Sequence, residues 1–197
     1  MIDPVLLESL VWTDYRLAVL FSVLMPLVLL TWAFIRKSEA LHLLLTIYWK
    51  VASLLMITVY LMIGGFGIGF ITALMARILI PMTLWFWDDL NEEIREQPQS
   101  ILRFVFVSWR WAVTIYHGLG AIALLLFIPC AFSTELFGSS RCQAWIQPNF
   151  LYKAQFHDGD PNGFLGFFGI LGLVIYMIAL GYFVIVRLGR QGRSAMN

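Results

Sequence analysis

Charge is scarce in this chain. Only 13% of its 197 residues are Asp, Glu, Lys or Arg, and the 13 basic residues nearly cancel the 12 acidic ones. That balance leaves no concentrated basic face, so nucleic acid is excluded as a partner. The usual catalytic signatures are missing too: there is no Ser-His-Asp set, no HExxH and no phosphate-binding glycine loop. No Glu-x-x-His pair is present to build a carboxylate di-metal site, so no metal is expected. Internal repeats and low-complexity tracts are absent. The first residues, Met1-Ile2-Asp3-Pro4, lack a basic stretch, and no small-residue cleavage site follows the first apolar run, so no cleavable leader is expected.

What the chain does have is hydrophobicity, at 60% of residues. From Leu41 to Trp87 the sequence is almost continuously apolar, more than twice the roughly 20 residues that one membrane crossing needs. Gly64, Gly65, Gly67 and Gly69 interrupt it without any charge, and glycine tolerates the positive φ of a tight reversal. The run therefore reads as two crossings joined by a short turn, and the spaced glycines as that turn rather than a nucleotide site. It ends at Trp85-Phe86-Trp87, followed at once by Asp88 and Asp89.

The composition places the chain among polytopic all-α membrane proteins, as a single domain over residues 1–197. Five spans are expected at about residues 15–35, 43–63, 70–87, 109–132 and 164–186, with an outer loop over 133–162. Asp3-Pro4 predicts a helix start, with Asp as the cap and Pro in the first turn. It opens a short interfacial helix with Leu6, Leu7, Leu10 and Val11 on one side. Pro26 lies inside span one and removes the bond to the Ser22 carbonyl, predicting a kink. Ser100 is a candidate cap for the fourth helix. Counting basic residues, one side receives Arg36, Lys37, Arg95, Arg103, Arg187, Arg190 and Arg193, and the other only Arg16, Arg141 and Lys153. By the positive-inside rule the C-terminus is cytoplasmic and the N-terminus outside or lumenal.

Three cations fall within the spans: Lys50, Arg77 and Arg110. A charge at a helix centre costs about 2.5–3.5 kcal/mol on insertion scales, so each wants a carboxylate, a carbonyl or a lipid phosphate. Two readings are open. The stems snorkel to the cytoplasmic headgroups, or the three form an anionic-headgroup or partner-subunit site. Lys50 belongs to a stripe, Thr46-Lys50-Ser53-Ile57-Tyr60-Gly64, polar enough to face other helices. Asp88, Glu92 and Glu96 recur at i, i+4, with Asp89 and Glu93 beside them, as an acidic face that is solvated or docks a protein.

His117, followed by Gly118 and Gly120, is the one histidine near mid-span. It makes a helix-to-helix hydrogen bond or, with glycines admitting a flat ring, ligates haem or chlorophyll. Cys130 and Cys142 both fall on the outer side, as a disulfide if that compartment is oxidising and as free thiols otherwise. Asp158-Gly159-Asp160-Pro161-Asn162-Gly163 matches half a calcium loop but lacks the closing Glu, and reads as a turn capping span five. The aromatic and aliphatic side chains of the outer loop suggest that part of it lies flat on the membrane. Gly163, Gly166, Gly169 and Gly172 line span five for close helix contact, or for contact with a pigment or lipid tail.

Ser9–Phe21 (SLVWTDYRLAVLF), Tyr48–Leu55 (YWKVASLL) and Leu84–Ile94 (LWFWDDLNEEI) resemble a family of cyanobacterial integral membrane proteins known only as a domain of unknown function. The resemblance implies a thylakoid or plasma membrane and supplies no catalytic residue. It raises the expectation of partners in photosynthetic complexes. The sequence thus reads as a non-enzymatic accessory subunit or assembly factor of a larger membrane complex. Its contact surfaces would be the acidic face, the outer loop and the glycine-lined span. The alternative is a small carrier or anionic-lipid-handling protein using the Lys50/Arg77 stripe; an enzyme acting on lipid ranks third.

Overall fold

The computed structural model describes residues 3–188 and 192–195, so Arg190 of the basic-residue count lies outside the described residues. Among the described residues the protein is all helical, with no strand. Four helices are long and apolar enough to cross a membrane: Pro4–Ile35, Glu39–Ile63, Ile68–Phe86 and Asn162–Val186.

The Asp3 carboxylate accepts from the Val5 N–H and caps α1, Pro4–Ala18. The expected short interfacial helix is not separate. α1 runs through a π-helical turn, Val19–Leu24, into α2, Met25–Ile35, as one 32-residue rod. At 1.5 Å per residue it is roughly 48 Å long, well beyond the roughly 30 Å of hydrocarbon. Its surplus is buried by protein: Leu7 and Val11 pack inward, while Leu6 and Leu10 stay exposed. The rod ends where Lys37 takes a left-handed conformation (φ 53°), its N–H bonding Phe34 O while Ser38 N–H reaches back to Ala33 O.

α3 (Glu39–Ile63) and α4 (Ile68–Phe86) form the expected hairpin. Gly65 sits at φ 76°, and Phe66 N–H bonds Leu61 O across the helix end, a geometry that a β-carbon would strain. Trp87 is extended and breaks α4, so the acidic segment is a distinct helix, α5 (Asp88–Glu96). Its apolar edge, Leu90 and Ile94, is buried under the bundle. Ser100 accepts from the Arg103 N–H and starts α6, Ile101–Leu125, which begins earlier and ends earlier than the span expected at 109–132. At 25 residues α6 is as long as α3 but carries Arg103, Arg110 and His117.

The outer loop expected over 133–162 is largely helical. A 3-10 turn (Ile128–Ala131) leads to α7 (Thr134–Phe137) and the 17-residue α8 (Ser140–Phe156), which folds back over the start of α1. Ile146 and Cys142 turn inward and are buried, whereas Leu151 and Phe156 remain outside. The segment closes over the bundle instead of lying wholly on a surface, because its inward residues find apolar partners in Leu7, Phe70 and Phe127. The last helix, α9 (Asn162–Tyr182), continues as a π turn, Phe183–Arg187. It packs along α3 through its glycines. A β-carbon on Gly64 would lie 2.5 Å from Gly166 Cα, and one on Gly169 would lie 2.8 Å from Leu61 N.

Apolar packing falls into two cores. One, at the α5 end, joins Leu29, Leu44, Tyr48, Leu84, Phe106 and their neighbours. The other, at the disulfide end, joins Leu7, Met62, Phe70, Leu124 and Ile146. Buried polar residues lie between them along each helix: Ser22, Thr58, Arg77 and His117.

Candidate functional site

The polar tier starts from a local backbone defect. In the π turn the Met25 N–H bonds Leu20 O, five residues back. Pro26 has no N–H, so the carbonyls of Phe21 and Ser22, five and four residues before it, lose their helical partner. Two side chains take them: Trp109 Nε1 donates to Phe21 O (2.8 Å), and the Tyr48 hydroxyl donates to Ser22 O (2.8 Å). The Ser22 hydroxyl in turn meets His117 Nε2 at 3.1 Å. The defect expected at Pro26 is thus the seam by which the first rod is bonded to α3 and α6.

His117 is 1% exposed. Its Nε2 is engaged by Ser22, and the surface of Gly120 one turn on is filled by Arg77, whose Nη1 lies 1.8 Å from where a β-carbon would stand. The His117 Nδ1 is buried without a hydrogen-bond partner among the described residues, while Nε2 makes the helix-to-helix hydrogen bond. No cluster of three potential metal-binding His, Cys, Asp or Glu side chains occurs among the described residues.

Arg77 stands midway along α4 and is 7% exposed. Helical side chains lean toward the N-terminus of their helix, which carries its guanidinium toward α1. Nη2 meets Asp14 Oδ2 at 2.5 Å, and the Tyr116 hydroxyl donates to Asp14 Oδ1 at 3.0 Å. The Tyr116 ring centroid lies 5.3 Å from the guanidinium carbon. Arg77 is therefore neutralised within the protein and does not reach for a headgroup. Sequence reading missed Asp14 because it sits just before the expected start of span one, although α1 is continuous through it.

The three cations do not assemble. Arg110 bonds the Asn91 side chain at the α5 end and lies 4.0 Å over the Trp85 ring. Lys50 lines a separate groove between α3, α4 and α9. Instead of a shared site there is Arg77 paired with Asp14, Arg110 bonded to Asn91 and one lysine apart from both, with Arg77 Nη1 and Arg110 Nε buried without a hydrogen-bond partner among the described residues.

The acidic face divides likewise. Asp88 forms an ion pair with Arg193 (2.9 Å), and Asp89 accepts from Ser194 Oγ (2.9 Å) and Ala195 N (2.6 Å). That half holds the chain's own C-terminal segment. Glu92 and Glu96 are exposed and Glu93 half-buried.

At the opposite end Cys130 and Cys142 are joined in a disulfide, both buried. Beside it lies a feature no motif announced. The Tyr60 hydroxyl meets His157 Nε2 at 3.0 Å, and His157 Nδ1 meets Asp160 Oδ2 at 3.1 Å. These side chains and Ser53 rim a cleft of about 580 Å³ whose other walls are apolar residues such as Met56, Phe164 and Phe168. Burial, then the hydrogen bond with Tyr60, pushes the Tyr152 phenol up to about 12. Asp160 lies in a turn, with Gly159 at φ 88°, but its carboxylate bonds His157, and the expected cap on the last helix falls to Pro161 with no side-chain bond.

The chain belongs to a family described as a protein of unknown function (DUF3177), which matches residues 8–196. No curated protein and no solved structure matches it.

Proposed function

We propose that this member of a family without assigned function is a non-enzymatic integral membrane protein, an accessory subunit or assembly factor of a larger membrane complex. The single observation carrying this reading is α9. Only 11% of its apolar stretch is buried, against 44% for α4. It touches the bundle along its glycine edge and turns Phe167, Ile175, Ile178 and other large side chains outward. The polar groups of the interior mostly answer one another, so they offer no obvious path for a solute, and the outer faces are left to meet a partner. The exposed carboxylates of α5, Glu92 and Glu96, would add a polar contact beside them.

In this reading α6 is a fifth span, and the protein sits in a thylakoid or plasma membrane of cyanobacterial type with its C-terminus cytoplasmic. The basic residues Arg36, Lys37, Arg95 and Arg103 gather at the α5 end, as the positive-inside rule asks. The disulfide lies at the other end, in keeping with an oxidising outer compartment. Native gels of membranes solubilised in mild detergent test the reading. The protein should migrate with a much larger assembly and shift when Ile175 and Ile178 are replaced by Ala. Migration as a small lone species at every detergent concentration overturns it.

A further inference from the structure

Arg77 has the Asp14 carboxylate beside it, and Arg110 bonds the Asn91 side chain and lies over the Trp85 ring. Lys50 is exposed and stands apart from both. Among the described residues its side chain makes no hydrogen bond and no ion pair. Among the described residues it is the single charged side chain lining a groove of about 500 Å³, whose walls include Ile47, Leu79, Met82, Thr83, Tyr176 and Ala179.

We infer that this groove seats one anionic phospholipid of the bilayer, an acyl chain lying along its apolar walls and the headgroup phosphate on Lys50. Four features point the same way. The volume lies within the range of small-ligand sites, and the walls are mostly apolar. The lysine is 11 positions beyond the start of α3 at Glu39, roughly 16 Å along the helix, so it is set within the apolar stretch. Its side chain leans back toward that start, the end where α5 and the basic residues gather. An ammonium at such depth carries a transfer cost that a phosphate offsets, and basic pockets between helices are where anionic headgroups bind. No carboxylate lines the groove, so among the described residues nothing on its walls competes for the charge. The inference is independent of whether a partner complex exists.

The full chain, reconstituted in nanodiscs of equal phosphatidylglycerol and phosphatidylcholine, is released into native mass spectrometry. The expected spectrum shows one retained phosphatidylglycerol, with phosphatidylcholine retained much less. Lys50→Gln should lower the phosphatidylglycerol adduct about tenfold, the fold-change for losing one charge-assisted hydrogen bond. Lys50→Arg should keep it. Ala179→Phe, which fills the groove and leaves the lysine intact, should remove the adduct as well. Unchanged retention in Lys50→Gln overturns the inference. So does retention in Ala179→Phe, which would mean that the lysine gathers headgroups from a snorkelled position without a seated chain. Equal retention of both lipids in the parent protein overturns it too. Helicity by circular dichroism separates loss of lipid from loss of fold.

Discussion

At the α5 end, Leu29, Leu44, Tyr48, Leu84 and Phe106 interlock the first rod with α3, α4 and α6, and α5 adds Leu90 and Ile94 from below. At the other end, Leu7, Val11, Phe70 and Leu124 are covered by α7 and α8, short helices that cannot cross a membrane and are tied down by Cys130–Cys142. The first core closes by helix-on-helix packing with Tyr48 and Trp109 bonding the first rod, and it has no disulfide. The second is built on the surplus length of α1, and it is covered by a lid with a covalent staple. Helices crossing lipid are held in line by the bilayer, whereas a cap outside it must overcome its own chain entropy. Between the two, the polar tier decides which helices are neighbours.

Breaking the tier should hurt most. Asp14→Leu leaves Arg77 buried without its carboxylate and is expected to cost about 3–5 kcal/mol, seen as a lowered midpoint of thermal unfolding in detergent. Adding Arg77→Leu should recover much of that loss, because an apolar pair of similar volume removes the unanswered charge. If the double variant is no better than the single one, the pair is not what Asp14 is for. Hydrogen exchange should show α1 and α8 losing protection first.

Next in size is the staple. Replacing Cys130 and Cys142 together by Ser should lower stability by about 3 kcal/mol, the value for closing a loop of similar length. The loss should fall on the disulfide end. Protease cuts in α8 should accelerate while the Trp109 environment, read by fluorescence, stays unchanged. A uniform loss at both ends would mean that the two cores unfold as one.

The smallest effect has the opposite sign. Lys37 holds a left-handed backbone that costs an L-residue about 1 kcal/mol, so Lys37→Gly should stabilise the α5 end by about that much. A rise in thermal midpoint with no change in α8 protection confirms that the gain is local. A fall would show that the Lys37 side chain contributes more than its backbone costs.

Much of the frame was legible. Asp3-Pro4, Ser100 and the Gly64–Gly69 reversal are local signals, readable because a cap or a turn involves residues a few positions apart. Pro26 announced an open carbonyl at Ser22 for the same reason. Of the spaced glycines of α9, Gly166, Gly169 and Gly172 meet α3 and the turn that follows it, whereas a β-carbon on Gly163 would meet nothing within 4 Å. The outer segment was misread because its mixed composition hides a helix that becomes amphipathic only relative to α1. Grouping Lys50, Arg77 and Arg110 failed because shared depth in a membrane does not mean a shared face. The Tyr60–His157–Asp160 chain gave no signal at all, since Tyr60 is separated from His157 by 97 positions.

The sequence alone determined that this is an apolar helical protein, where its central hairpin turns, and that Pro26 leaves the Ser22 carbonyl open. These follow from composition and from bonds within a few residues. The tertiary structure decided that Asp14 answers Arg77, that Ser22 answers His117, and that Lys50 is left facing a groove. Those pairings depend on the rotation and depth at which separate helices meet, and packing of whole faces sets both.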